Sequence, residues 1–401
     1  MKFYVIGIDD SETPQFTSEI KSIIASGKIF TGGVRHYEIV KQMLPTKHQW
    51  INVTPPMTTL FKQYAGHDEV VAFASGDPLF YGFASTVQRM MPEAELQVFP
   101  HFNSLQMLAH RALIAYHDMR VVSLTGRPWH RFDEALINGE ALIGVLTDNS
   151  KHTPDKIAQR MLDYGYTNYE IIVGELLGNK YKEKIHTISL EEAASREFHY
   201  PNNILLRRTA KRNRPFGIAD AEFMHLDGRT KMITKQAIRL ATLSELNLRE
   251  CDSMWDIGFC TGSVSIEAKL QFPHLTINSF EIREACAEII SHNMRKFGAI
   301  GIDWHIGDFL ETDISQLSAP DAIFIGGHGG FLGQILQRIT SVMTEHACII
   351  FNSVTVESRL MFITFANRLG LEVETVAQLT VDNNNTITIL KAYKPDNGDN
   401  K

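Results

Sequence analysis

The chain has 401 residues, 44% hydrophobic and 21% charged, with a formal net charge of -7. That length predicts two domains, because single cores stop growing at about 250 residues. The acidic balance argues against a nucleic-acid-binding face, yet it is compatible with a local basic pocket for a polyanionic small molecule.

The N-terminal run "MKFYVIGIDD" reads as a strand, since its apolar part is too short for a secretory signal. Further strands are predicted at "EVVAFAS", "ELQVFP", "MRVVSLT", "ALIGVLT", "YEIIVGEL" and "NILLRR". The second half continues with "SMWDIG", "TINSFEI", "DWHIGD", "DAIFIGG", "ACIIFNSV" and "TITILKAY". Short apolar strands alternating with helical patterns imply largely parallel sheets covered on both faces. Between the halves, the basic stretch Arg207–Arg214, closed by Pro215 and Gly217, reads as a solvated linker, with nucleic-acid binding as its alternative. The domain boundary is expected near residue 212, and the apolar-free tail 395–401 is expected to be flexible. Cys251, Cys260, Cys286 and Cys348 lack the paired spacing of a zinc site or disulfide framework. They predict reduced thiols in a cytoplasmic protein, with no metal. No apolar run approaches the ~20 residues of a membrane span, so no membrane partner is expected.

Residues 253–268, "SMWDIGFCTGSVSIEA", spell strand, glycine loop and helix. Gly258 and Gly262 permit positive φ and a close approach of ligand to backbone, and the helix from about Ser263 directs its N-terminal amides at that ligand. Cys260 stands where a dinucleotide loop would have its middle glycine, and the longer D-x-G-x-x-x-G spacing suits S-adenosylmethionine. Asp256 can accept the amino group of that cofactor. Glu281, at the end of the next strand, can accept from ribose hydroxyls, and Asp308 from adenine. The loop Gly326–Gly330, which includes His328, leaves room beside the methyl donor.

The segments "MITKQAIR", "DIGFCTGSVSIEA", "FEI", "FGAIGIDWHIGD", "APDAIFIGGHGG" and "NSVTVES" together resemble the decarboxylating precorrin methyltransferases of cobalamin biosynthesis. The resemblance spans about residues 217–394 and implies a Rossmann-like methyltransferase. It implies methylation of carbon 15 of the macrocycle and loss of the carbon-12 acetate carboxyl. It also implies cofactor contacts at Thr234, Gly258, Phe259, Cys260, Thr261, Gly262, Glu281, Asp308 and Phe309. Phe259 and Cys260 replace the alanine and second glycine usual in that family's loop, and "GDFL" replaces its usual Ala-Pro after the aspartate.

In the first half, "SGDPLFYG" (75–82) follows a buried strand and reads as a rigid turn, with Asp77 able to cap the next helix. "YVIGI", "ASGDPLFYG", "NSLQ", "VVSLTGRP", "LTDNSKHTPDKIAQRML" and "IIVGELLG" occur in the order seen in tetrapyrrole methylases, over about residues 1–206. They are similar to the carbon-5 branch of cobalamin synthesis. This resemblance implies two α/β subdomains with a second S-adenosylmethionine between them, near Gly7, Gly76, Asp77, Tyr81, Ser104 and Thr147. Here Asp9 and Asp10 follow the first glycine loop, and Thr125 stands where the family usually has histidine.

Both halves are thus α/β, with one S-adenosylmethionine each and a precorrin-type tetrapyrrole as substrate. The macrocycle supplies its own enamine-like nucleophile, so no covalent catalytic residue is required. Arg127, His328, Arg35 and His36 are candidates to contact its carboxylates. Arg127 could instead form a surface salt bridge, and His328 could be a plain loop residue. A homo-oligomer is expected. Two rival readings are an RNA or DNA methyltransferase, which lacks a visible basic face or N-P-P-Y motif, and a non-catalytic N-terminal module that presents substrate.

Overall fold

The apolar runs of the first half pair into two five-stranded sheets. In the computed structural model, residues 1–11, 13–381 and 385–395 are described, so the predicted flexible tail lies outside the described residues from 396 onward. The first sheet holds β1 (Lys2–Ile8), β2 (Ile29–Gly32), β3 (Gln49–Asn52), β4 (Glu69–Ser75) and β5 (Glu95–Phe99). Their order is β3-β2-β4-β1-β5, and every neighbouring pair is parallel. The central strands are covered on both faces: Phe3, Val5, Val70 and Ala72 pack into one apolar cluster, and Ile6, Ile8, Val71 and Phe73 into another. This is why their sequences are near-continuous apolar runs rather than alternating ones.

The second sheet holds β6 (Arg120–Ser123), β7 (Leu142–Leu146), β8 (Tyr169–Glu175), β9 (Lys184–Ile188) and β10 (Asn202–Arg208), ordered β6-β7-β10-β8-β9. In this sheet only β6 and β7 are parallel, so it alone departs from the expected largely parallel pairing. No helix separates β8 from β9, so the chain turns back directly, and β10 enters antiparallel between β7 and β8.

The second half forms one seven-stranded sheet. Its strands are β11 (Ser253–Ile257), β12 (Thr276–Glu281), β13 (Ile302–Ile306), β14 (Ala322–Ile325), β15 (Cys348–Ser353), β16 (Glu372–Leu379) and β17 (Ile387–Tyr393). The order is β13-β12-β11-β14-β15-β17-β16, parallel except around β17. The chain reverses direction across the sheet between β11 and β14, and open α/β sheets bind ligands outside the strand carboxyl ends at such a point.

By contact, the chain divides into a first unit (Met1–Arg127, Glu140–Arg160, Asn168–Ala210) and a second (Pro128–Gly139, Met161–Thr167, Lys211–Lys401). Residues 128–139 and 161–167 therefore count with the second unit although they precede the expected boundary. Within it, Tyr166 Oη donates to Gly298 O at 2.7 Å, Arg212 donates to Tyr164 O at 3.2 Å, and Arg214 donates to Asn138 Oδ1 at 3.0 Å. The basic stretch is thus tethered at named groups and is not simply solvated. Among the described residues, no helix is long and apolar enough to cross a membrane. All four cysteines are free and buried.

Candidate functional site

In the first unit a cavity of about 500 Å³ opens at the carboxyl ends of β1 and β4. Gly7 lies beneath it: a Cβ there would sit 2.0 Å from Gly76 O and 2.7 Å from His101 N. Gly76 turns the chain off β4 with φ of 61°. Of the expected cofactor contacts, Gly76, Tyr81, Ser104 and Thr147 line the cavity, and Gly7 and Asp77 do not. Asp77 accepts from Leu79 N at 2.9 Å, closing a turn, while the next helix, Phe83–Met90, begins after Gly82. The expected helix cap by Asp77 is therefore not formed. Thr125 also lines the cavity and donates to Thr147 O at 2.9 Å.

Arg35 and His36 line the same cavity but both are committed to Ser75. Gly33 N–H donates to His36 Nδ1 at 3.1 Å, so that nitrogen carries no proton and Nε2 is the donor. Nε2 stands 2.9 Å from Ser75 Oγ, and Arg35 Nη2 donates to the same oxygen at 2.7 Å. Ser75 thus accepts twice, leaving its own proton for the cavity. Burial, then the neighbouring Arg35 charge, pushes the His36 pKa down to about 4, so the ring is neutral at pH 7. It offers no positive charge to a substrate carboxylate. Ser75 was missed by sequence reasoning, although it opens the quoted "SGDPLFYG" at a strand end.

In the second unit a cavity of about 400 Å³ opens at the carboxyl ends of β11 and β14. Thr234, Gly258, Phe259 and Cys260 line it, together with Lys231, Lys235 and Arg283. Asp256, Thr261, Gly262, Glu281, Asp308, Phe309 and His328 do not. Asp256 is fully buried and accepts from Ser265 Oγ at 2.5 Å, which corrects the expectation that it reaches the cofactor amino group. The Glu281 carboxylate stands behind the loop, accepting from Cys260 N at 3.0 Å and from Arg283 Nη1 at 2.9 Å. Asp308 accepts from Leu310 N at 2.9 Å, and Phe309 packs into the core against Trp255 and Phe280. His328 Nδ1 accepts from Gly330 N at 3.2 Å, while Gly326 and Gly327 of the same loop line the cavity.

The Thr234 segment is held from below by a buried ion pair that sequence reasoning missed. Arg239, fully buried, donates to Thr234 O at 2.8 Å and pairs with fully buried Glu267 at 3.2 Å. A charged residue at one position of the otherwise small and apolar "SVSIEA" helix was its signal.

Cys260 adopts φ of 47°, a left-handed backbone that costs a non-glycine residue about 1–2 kcal/mol. Its Sγ contacts Met232 O at 3.2 Å. Cys260→Gly is expected to raise stability by about 1 kcal/mol, part of the relief being offset by unfolded-chain entropy. A thermal midpoint at or below that of the parent would refute this.

Both cavities have the volume of small-molecule sites, roughly 300–1,000 Å³. At the end of β11, Asp256 Oδ1 and Thr261 Oγ1 are buried without a hydrogen-bond partner. Residues 2–194 match the tetrapyrrole (corrin/porphyrin) methylases, and residues 223–398 match the precorrin methyltransferase domain. The chain belongs to the two-domain precorrin methyltransferases. It is 29% identical over 373 residues to a precorrin-6Y C(5,15)-methyltransferase [decarboxylating] of Sinorhizobium sp, covering 91% of this chain and 88% of that one. A protein of the same name from Mycobacterium tuberculosis is 25% identical over 369 residues, covering 92% and 91%. A solved precorrin-6y C5,15-methyltransferase structure from Geobacter metallireducens is 33% identical, covering 45% of this chain and 97% of that one, with a TM-score of 0.42. The described linings differ in charge. Asp9, Asp10 and Arg35 line the first cavity, with Arg35 paired to Asp10 at 2.9 Å, whereas Lys231, Lys235 and Arg283 line the second and, among the described residues, no carboxylate does.

Proposed function

We propose that the chain methylates a precorrin-type macrocycle at carbons 5 and 15 and removes the carbon-12 acetate carboxyl, with one S-adenosylmethionine site per unit. The observation that carries this reading is that each unit holds a ligand-sized cavity at the carboxyl ends of its parallel strands. Bound S-adenosylmethionine supplies an electrophilic methyl on a sulfonium. Gly76, Tyr81, Ser104 and Thr147 would hold it in the first unit, and Thr234, Gly258, Phe259 and Cys260 in the second. Asp9 suits its positive charge, Asp10 being paired with Arg35, and Lys231 suits a carboxylate of the macrocycle, Arg283 being paired with Glu281. The protein positions the two reactants and excludes water, and alignment alone can contribute several kcal/mol. In the decarboxylation the bond to the carboxyl carbon breaks, its electron pair enters the conjugated ring, and a proton completes the remaining methyl group. The reading places the two catalytic parts on either side of about residue 212, in a homo-oligomeric cytoplasmic enzyme; sedimentation velocity checks the assembly.

Gly7→Ala tests the first site. Its methyl would collide with Gly76 O and His101 N and push the cavity floor outward. Carbon-5 methylation should fall at least ~10-fold, equivalent to about 1.4 kcal/mol, while carbon-15 methylation and carbon dioxide loss persist. Mass spectrometry of the product distinguishes two methyl gains from one. Undiminished double methylation would show that the first unit only presents substrate.

A further inference from the structure

We propose that the first unit carries a second compartment, beside the cofactor cavity, that binds peripheral carboxylates of the methyl acceptor through Arg89 and Arg127, with Tyr81 as its platform. This deepens the carbon-5 reading above and rests on it for the identity of the acceptor. A cavity of about 530 Å³ adjoins the first and shares Phe80, Tyr81, Gly82 and Thr86 with it. The two differ in charge balance. In the first, Asp10 is paired with Arg35 at 2.9 Å and Asp9 adds a further carboxylate, whereas the described residues lining the second include two arginines and no acid. A cationic methyl donor and a polyanionic acceptor would sort themselves along such a cleft.

The geometry suits a flat, carboxylate-rich ligand. Tyr81 has φ of 53° and is half exposed, so its ring stands out at the junction of the two cavities. The Arg127 guanidinium lies 4.9 Å from that ring's centroid and is steadied by donation from Nη1 to Ser123 Oγ at 2.6 Å. Arg89 reaches the same space from the last turn of the helix Phe83–Met90. Among the described residues, neither arginine forms an ion pair with a carboxylate. A guanidinium can grip a carboxylate with two parallel hydrogen bonds, and an aromatic ring beside it can stack on a conjugated macrocycle. Tyr81 therefore faces the acceptor rather than only the cofactor.

The test compares the full chain with Arg89→Gln, Arg127→Gln and the double variant. In the double variant the KM for carbon-5 methylation should rise at least ~10-fold with little change in kcat, as expected for lost ground-state binding. S-adenosylmethionine affinity by calorimetry, carbon-15 methylation and decarboxylation should be unaltered. An unchanged KM, or a matching loss of S-adenosylmethionine affinity, would overturn the compartment. A second arm uses uroporphyrin, a polycarboxylate porphyrin, followed by fluorescence. It should bind the double variant at least ~5-fold more weakly than wild type at low salt, and the difference should shrink as salt screens the charges. Should the wild type add only one methyl group, the two-site reading fails, and the porphyrin titration still decides: equal binding by wild type and double variant overturns the proposal.

Discussion

Glu267→Ala is expected to destabilise the second unit by about 3–5 kcal/mol, because it leaves a buried charge without its partner. Glu267 Oε1 accepts from Gly217 N at 2.7 Å, and Oε2 accepts from Ile218 N at 3.1 Å and Arg239 Nε at 3.2 Å. Alanine would strand both amides and the guanidinium of Arg239, whose remaining acidic partner, Asp220, is 3.5 Å away. Arg239 also donates to Ile218 O and Thr234 O, so the loss should spread to the cavity wall. Replacing both residues, Arg239→Met with Glu267→Leu, removes the desolvation cost along with the attraction. This double variant should recover the part of the loss due to the unpaired Arg239 charge, but not the part due to the Gly217 and Ile218 amides, nor the ordering of Thr234. Urea denaturation gives the first quantity and cofactor titration the second. A single-variant loss below ~1 kcal/mol, the size of an exposed pair, would show that water reaches the site.

The parts of the fold legible in the sequence were those whose burial leaves a mark on composition. Glu69–Ser75 is covered on both faces and reads as an unbroken apolar run. Glu372–Leu379 is an edge strand with mostly exposed or half-buried residues, and Ile29–Gly32 is only four residues long; neither was predicted. Strand direction was not legible in the second sheet, because periodicity reports which faces are covered and is silent on which neighbour pairs with which. At the sites, Gly76 and Gly258, glycines at strand ends, line the cavity walls. The acids did not behave alike. Glu281 sits at a strand end but is intercepted by the Cys260 amide and Arg283, and Asp256 turns toward Ser265 in the core. Which side of a strand an acid faces depends on the register of that strand, and both faces of this parallel sheet are buried, so alternation gave no clue.

Asp256 carries the other large expectation: stability should fall as pH rises from about 4 to 7, and Asp256→Asn should remove that component. The carboxyl is fully buried, its Oδ1 has no partner, and its pKa is pushed up to about 7. Burial is the main cause; hydrogen bonds from Ser265 oppose it, and the nearby Glu281 charge adds to it. In the unfolded chain the group titrates near its ordinary value of 3.8. Between those two values the unfolded state has released the proton and the folded state has kept it. Unfolding therefore liberates a proton, and raising the pH favours it. The contribution is fully present below the unfolded pKa and is lost by the time pH passes the folded one. Each tenfold difference in proton affinity is worth ~1.4 kcal/mol, so the whole window amounts to about 4 kcal/mol. Asparagine holds no titrating proton, so the stability difference between variant and wild type isolates this group from every other carboxylate. That difference should move in favour of the variant between pH 4 and 7, whatever penalty the amide carries for an unpaired N–H. Parallel pH profiles in urea denaturation would mean that Asp256 is ionised in the folded protein. The pairing of Ser265 with both Asp256 and Ser279 would then have to be holding a charge rather than a neutral acid.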